Sequence, residues 1–172
     1  IKAEVERLSG LSEQYLSVAR QRAQEKRPER LDGIVEEACE FVRRELAQAG
    51  VTLELAFPPD TEDITLPVDE AQIRQALLNL LRNAREAMPS GGRVVVRIER
   101  TPSGLDLVVD DEGVGMPATT RERLFEPFFT TKQHGTGLGL AITRQIAEAH
   151  GGGIRVESRE PRGTRIVMHL AS

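Results

Sequence analysis

Two periods of apolar and polar residues run along this chain, and the change from one to the other falls at glycines and prolines. From residue 1 to 27, Ile1, Val5, Leu8, Leu11, Tyr15 and Val18 recur at three- and four-residue steps between charged residues. That spacing predicts a helix with one apolar stripe. Gly10 weakens it locally, and Pro28 ends it. A single stripe on a polar helix needs a partner, which an intermolecular coiled coil or four-helix bundle would supply. The chain begins at Ile1, inside this pattern, so it is read as a fragment of a longer protein.

The remainder predicts a mixed α/β domain. A helix over 32–49 closes at Gly50. Val51 to Phe57 alternates as a strand and stops at Pro58-Pro59. Asp69 caps a helix reaching Met88, with Gln72 three residues later as its capping-box partner. Strands over 93–100 and 104–110 follow, turned by Pro102-Ser103-Gly104. A glycine- and proline-rich stretch covers 111–137. A helix over 138–150 stops at Gly151-Gly152-Gly153, and strands over 153–158 and 164–170 complete the pattern.

Composition narrows the function classes. The 172 residues, 39% hydrophobic, suffice for one cored domain with a short appendage. The lone Cys39 excludes an internal disulfide framework and reads as a small buried apolar residue, so a reducing compartment is the default. With 23 basic against 27 acidic residues, no Trp and 3% aromatics, the chain lacks the basic, ring-bearing surface that nucleic acids require. No stretch has the length of a membrane span and none reads as a signal peptide.

Four short segments carry candidate chemistry. On the 69–88 helix, Ile73, Leu77, Leu80, Leu81, Ala84 and Met88 share one side; Gln72, Gln75, Asn79, Arg82, Asn83 and Glu86 share the other. Asn79 and Asn83 stand one turn apart at mid-helix, where asparagine costs stability without capping anything. Their carbonyl oxygens suit a hard cation such as Mg²⁺ that keeps waters and phosphate oxygens as its other ligands. Second, a strand runs into Asp110-Asp111-Glu112-Gly113-Val114-Gly115, where Asp110 or Asp111 can accept a hydrogen bond from an exocyclic amine and the glycines admit a flat ligand. Third, Leu124-Phe125-Glu126-Pro127-Phe128-Phe129-Thr130-Thr131-Lys132 gathers three of the five phenylalanines. It reads as a lid anchored by rings, with Thr131 and Lys132 reaching phosphate. Fourth, Gly135-Thr136-Gly137-Leu138-Gly139-Leu140 opens a helix, where free N–H groups make a phosphate cradle. Its spacing is neither the dinucleotide fingerprint nor a P-loop.

In this order, the segments resemble the N box (Asn79 to Ala84), first glycine box (Asp111 to Gly115), F box (Phe125 to Phe129) and second glycine box (Gly135 to Leu140) of sensor histidine kinases. These belong to the GHKL superfamily, which includes DNA gyrase and the MutL mismatch-repair protein. Gly163-Thr164 before the last strand is similar to the family's closing signature, and Phe-Phe-Thr-Thr-Lys resembles nitrogen-regulator-type sensor kinases. The resemblance implies a two-layer α/β sandwich of the Bergerat type: a mixed, mostly antiparallel sheet with three helices on one face, plus an N-terminal helix. It implies ATP/ADP and Mg²⁺ as ligands. Asn83 would bind the metal, Asn79 would support the phosphates, and Asp111 would hold the adenine amino group. Gly113 and Gly115 would shape the adenine floor, with Thr164 nearby. Thr131, Lys132 and the backbone of Gly135, Thr136, Gly137, Leu138, Gly139 and Leu140 would hold phosphates, with Asn79, Asn83 and Lys132 carrying the catalytic roles. Residues 1–28 resemble the end of the second dimerisation and phosphotransfer helix with its linker, and 29–172 the catalytic domain.

The family's phosphoacceptor histidine belongs to the first hairpin helix beside an acidic residue. His134, His150 and His169 do not lie on an N-terminal helix, so this fragment is expected to lack the acceptor. The expected reaction is γ-phosphoryl transfer to a histidine on a separate hairpin, then onward to a response-regulator aspartate. The intact protein would be a homodimer and the fragment a monomer; the domain would be cytoplasmic, with the parent free to be membrane-anchored. Three other readings compete. A gyrase-type ATPase generally carries a water-activating Glu where Asn79 stands. A nucleotide-holding binding module would not need every motif. A serine kinase acting on an anti-sigma-type partner would not need the N-terminal helix.

Overall fold

The computed structural model describes residues 25–59, 64–132, 135–158 and 162–172. The helix expected at the start of the chain lies outside these residues up to position 24, as does His134. At the junction the helical reading is corrected. Glu25 and Lys26 belong to no regular element, and Arg27–Arg30 form a strand, β1. It pairs antiparallel with Thr65–Val68, β3, placing Pro28 opposite Pro67. Two prolines hide both strands from a periodicity argument, because each removes a ladder donor.

The main sheet has five strands in the order β2-β4-β5-β7-β6. These are β2 (Val51–Ala56), β4 (Gly92–Thr101), β5 (Gly104–Asp111), β6 (Gly153–Ser158) and β7 (Thr164–Ala171). Only the β2–β4 pairing is parallel. Helices α1 (Leu31–Gln48), α2 (Glu70–Ala87) and α4 (Gly139–Ala149) pack side by side. They cover one face: α1 on β2, α2 on β5, and α4 on β6 and β7. The expected two-layer α/β arrangement is therefore the one observed. A six-residue helix after Pro117, α3 (Ala118–Arg123), lies in the stretch read as glycine- and proline-rich loop.

Strand alternation builds the core. Val94, Val96 and Ile98 of β4, Leu105, Leu107 and Val109 of β5, and Ile166, Met168 and Leu170 of β7 are all buried in one cluster with the helices. The helices answer with Ile34, Val35, Ala38 and Cys39 from α1, Ile73, Leu77, Leu80 and Leu81 from α2, and Ile142 and Ile146 from α4. Burial pushes the Cys39 thiol up to about 12, which makes it an inert packing group. On the opposite face, Val108 and Val167 lie beneath charged side chains: Arg97 and Arg165 close on Asp110, and Arg155 and His169 on Asp106.

Candidate functional site

Helix α2 starts where expected but with a different cap. The Asp69 side chain accepts from the Gln72 N–H at 3.1 Å. The return bond of the capping box is replaced: the Asp69 N–H donates to His150 Nε2 at 3.0 Å. The helix thus begins tied to the far end of α4. Its buried face matches the apolar stripe, which leaves Asn79 and Asn83 half-buried along the open side, next to α4. Asn79 Nδ2 donates to the Gly139 carbonyl at 3.2 Å, so the N-terminus of α4 is held against the asparagine row. Thr143 Oγ1 donates to the same carbonyl at 2.9 Å.

At the end of β5 the strand's alternation separates two neighbouring acids. Asp110 points to the outer face, where Arg165 holds it through Nε at 2.8 Å and Nη2 at 3.1 Å, with Arg97 alongside. It is an anchor of the outer ion-pair network and faces away from the helices. Asp111 points to the helical face, is 5% exposed and accepts from the Gly113 N–H at 2.8 Å. Across the ladder it stands opposite Thr164. Thr164 is buried, and its Oγ1 has no hydrogen-bond partner among the described residues. A buried hydroxyl left unsatisfied costs free energy unless something fills the site. Here it sits beside a carboxylate on the same face. That pair matches a planar ligand bearing both an amine and a ring nitrogen.

Gly113 allows this corner to close. A Cβ there would meet Ala87 Cβ and the Ala87 carbonyl oxygen, each at 2.7 Å. The next N–H, of Val114, donates to the Ala87 carbonyl at 3.0 Å. The end of α2 and the turn after β5 are therefore stitched together, and Gly115 follows at φ 74°.

The phenylalanine segment and the second glycine segment form one unit. Phe128 has φ 66°, a left-handed backbone uncommon for a bulky residue, and the residue is 61% exposed. Its N–H donates to the Gly137 carbonyl at 3.0 Å. Gly137, at φ 68°, presses so closely that a Cβ would lie 2.4 Å from the Phe128 carbonyl carbon. Phe125 and Phe129 are half-buried, and the Arg123 guanidinium lies 4.5 Å from the Phe129 ring centroid. Gly137→Ala is expected to break this clasp while leaving the core intact. Amide exchange at Phe128 should quicken about tenfold or more, since a left-handed non-glycine costs on the order of 1–3 kcal/mol. Unchanged exchange would remove the clasp.

Lys132 crosses from that segment to α2. Its Nζ donates to Asn83 Oδ1 at 2.8 Å and pairs with Glu86. An ammonium thus occupies the position where Asn83 would meet a cation, and it brings in Glu86 as a second side-chain oxygen donor there. On sequence, Glu86 lies on the polar face of α2 without a role; its position one turn beyond Asn83 is the signal that points to it. Among the described residues no cluster of three or more His, Cys, Asp or Glu could hold a metal unaided. An ion at Asn83 would therefore need oxygens from a ligand or water. Thr131 is exposed, Thr136 Oγ1 accepts from Leu138 N–H at 3.4 Å, and the Leu138 side chain is in the core. That leaves Leu138 only its backbone to face a ligand, and here the N–H is held by Thr136 and the carbonyl by Ile142 N–H at 2.9 Å.

Residues 68–172 match the model of the histidine kinase-, DNA gyrase B-, and HSP90-like ATPase family. The chain belongs to that family. Within it, the similarity is to histidine kinases. Sporulation kinase E of Bacillus subtilis (strain 168) is 33% identical over 171 residues, 99% of this chain. The chain spans 23% of that protein's length and 40% of sporulation kinase C's. The nucleotide-free catalytic domain of histidine kinase ThkA superposes with a TM-score of 0.78 at 32% identity, over 86% of this chain and 95% of that one. ThkA in complex with the response regulator protein TrrA superposes with a TM-score of 0.82 at 27% identity, over 99% and 48% of the respective chains. The fold described above is thus that of an ATP-binding histidine-kinase catalytic domain. No helix among the described residues is long and apolar enough to cross a membrane.

Proposed function

We propose that this catalytic domain binds ATP with Mg²⁺ in the cleft bounded by α2, α4 and the phenylalanine segment. In the intact protein it serves phosphoryl transfer to a histidine on a separate helical hairpin. The observation that carries the proposal is the buried Asp111 carboxylate beside the Thr164 hydroxyl, which lacks a partner among the described residues, at a corner bonded to the end of α2, the helix that carries the Asn79–Asn83 row.

The chain's own groups divide the work. Asp111 accepts from the adenine amino group while Gly113 N–H fixes its orientation, and Thr164 satisfies its hydroxyl on the ring edge. Gly113 and Gly115 keep that floor free of side chains. Gly135 to Leu138 lead into α4, which begins at Gly139 and whose start favours anions; of these N–H groups, those of Gly135 and Leu138 must exchange Lys132 and Thr136 oxygens for phosphate. Asn79 holds that start in place through Gly139. When bound, ATP supplies the transferable γ-phosphoryl and Mg²⁺ neutralises charge on its oxygens. Asn83 offers the metal a carbonyl oxygen. Lys132 must then leave Asn83, and with Thr131 it is placed to follow the phosphates. Positioning and charge compensation supply most of the rate, because the attacking imidazole is already a nucleophile when neutral.

Residues 1–28 are proposed as the end of the hairpin's second helix and its linker, and 29–172 as the catalytic unit. The further partners are a response-regulator receiver domain and a second copy of the intact protein; the domain would work in the cytoplasm. Neither described histidine suits the acceptor role. His150 is 4% exposed with both ring nitrogens engaged, and His169 bridges Asp106 and Ser103. With labelled ATP alone, the chain is expected to accumulate no acid-labile phosphohistidine; adding a separate hairpin bearing an acceptor histidine should restore labelling on the hairpin. Label on this chain alone, abolished by His134→Ala, would overturn the proposal.

A further inference from the structure

His150 is a buried histidine that the proposed reaction does not use, and it stands where three parts of the molecule meet. Its Nδ1 lies 2.7 Å from the Ile146 carbonyl of α4, an acceptor only, so Nδ1 carries the proton. Its Nε2 must then be the lone-pair nitrogen, and it receives the Asp69 N–H at the head of α2. The His150 carbonyl accepts from Ala171 N–H at the end of β7, at 3.2 Å. One residue earlier, the Ala149 carbonyl accepts from Lys26 Nζ at 2.6 Å. A cation there also complements the C-terminal end of α4.

The geometry gives this corner a second significance. Asp69 directly follows β3, and β3 pairs with β1, the strand that opens the described linker. Lys26 directly precedes β1. The linker therefore grips α4 through Lys26 and α2 through β3 and Asp69, and the imidazole joins the two grips. At the other end of α4, Asn79 from the middle of α2 bonds to Gly139. α4 is fastened to α2 at both of its own ends, and the candidate phosphate site lies between the row of asparagines and the start of α4.

We propose that His150 is a positioning residue that locks the register of α2 against α4 and ties that register to the linker strand. Only the neutral ring with its proton on Nδ1 performs this, because it must donate to Ile146 and accept from Asp69 at once. A protonated ring offers two donors and no acceptor. It would confront the Asp69 N–H and place a positive charge near Lys26. The charged groups facing the ring are Lys26 from ahead of β1 and the Asp69 carboxylate from the head of α2; at the β7 end the recorded contact is the Ala171 backbone N–H. Burial holds the ring's affinity for protons below the ordinary histidine value of 6.5, assisted by Lys26 and opposed by the Ile146 bond and Asp69. A folded-state value below the unfolded one means the lock is intact above that value and is lost as pH falls through the depressed one.

This inference rests on the nucleotide site proposed above, so its test separates the two. ADP binding to the whole chain is measured by calorimetry at about pH 7.5 and at steps below that down to about pH 4.5, so that the lowest pH lies well under the ordinary histidine value, for wild type, His150→Gln and His150→Ala. Gln keeps an acceptor for Asp69 but does not titrate. His150→Gln is expected to bind like wild type at the highest pH and to lose the extra weakening that wild type shows as pH falls. Titration of the ADP phosphate is common to all three proteins and cancels in the comparison. His150→Ala should bind up to about tenfold more weakly throughout, as the locked register becomes a minor population. A wild-type pH response retained in full by His150→Gln overturns the lock. Absence of ADP binding to wild type overturns the nucleotide site instead. Where His150→Ala fails to fold, the Gln comparison and the nitrogen shifts of the His150 ring decide; a ring protonated on Nε2 in the folded protein also overturns the lock.

Discussion

Asp111→Asn is expected to weaken ATP binding by roughly 10- to 100-fold, while GTP, expected to bind wild type more weakly than ATP, should lose far less or gain. The change is nearly isosteric at a residue only 5% exposed, and the amide oxygen can still accept from Gly113 N–H. The fold and the corner after β5 should therefore survive. What changes is the other end of the group: an amide N–H₂ would face the adenine amine, donor against donor, where a carboxylate had accepted. Losing a hydrogen bond to a charged group costs about 1.5–3 kcal/mol, which sets the fold-change. The guanine carbonyl would meet that N–H₂ as an acceptor, so the preference between bases should narrow or invert. Calorimetry with both nucleotides measures it. If the variant shows wild-type affinity and wild-type base preference, Asp111 does not read adenine.

How far this corner could be read from sequence depends on the range of the interactions involved. The strands and helices with long, clean periods, α2 and β4 to β7 above all, follow from local pattern, because each buries one face against the same core. The order of the motif segments was legible for the same reason: each is short and contiguous. The local pattern leaves Asp110 and Asp111 open, since both end a strand and either could turn inward, and only the family resemblance names Asp111. The choice is decided by Arg97 and Arg165, which come from neighbouring strands and claim Asp110 for the outer face. The β1–β3 pair was missed because four-residue strands with a proline in each lack both the length and the alternation that mark a strand. The Gln72 partner in the capping box was a sound local inference, but His150, 81 positions away, took the Asp69 N–H first. Lys132 meeting Asn83 and Glu86 is likewise a product of the tertiary fold, invisible to any window along the chain.

That contact makes Asn83→Ala the most informative substitution in the molecule, with stability and activity expected to part company. On stability, Asn83 lies half-buried on the open side of α2, while Leu77, Leu80, Leu81 and Ala84 carry the packing. Truncation opens no core cavity, and alanine is the better helix former by about 0.5 kcal/mol. Lys132 loses one acceptor but keeps Glu86, and an exposed pair of this kind contributes little in water. The thermal midpoint should stay within a degree or two or rise slightly. On activity, the substitution removes the oxygen proposed to hold Mg²⁺ against the phosphates, a group whose worth grows as charge develops during transfer. Phosphoryl transfer to an added histidine-bearing hairpin should fall by about 100-fold or more at saturating ATP and Mg²⁺. Loss of transfer without loss of stability assigns the residue to chemistry. Loss of both would mean that α2 needs the Asn83–Lys132 contact to hold its shape. Transfer at the wild-type rate, in a folded variant, would show that the metal is held without Asn83 and would shift attention to Asn79 and Glu86.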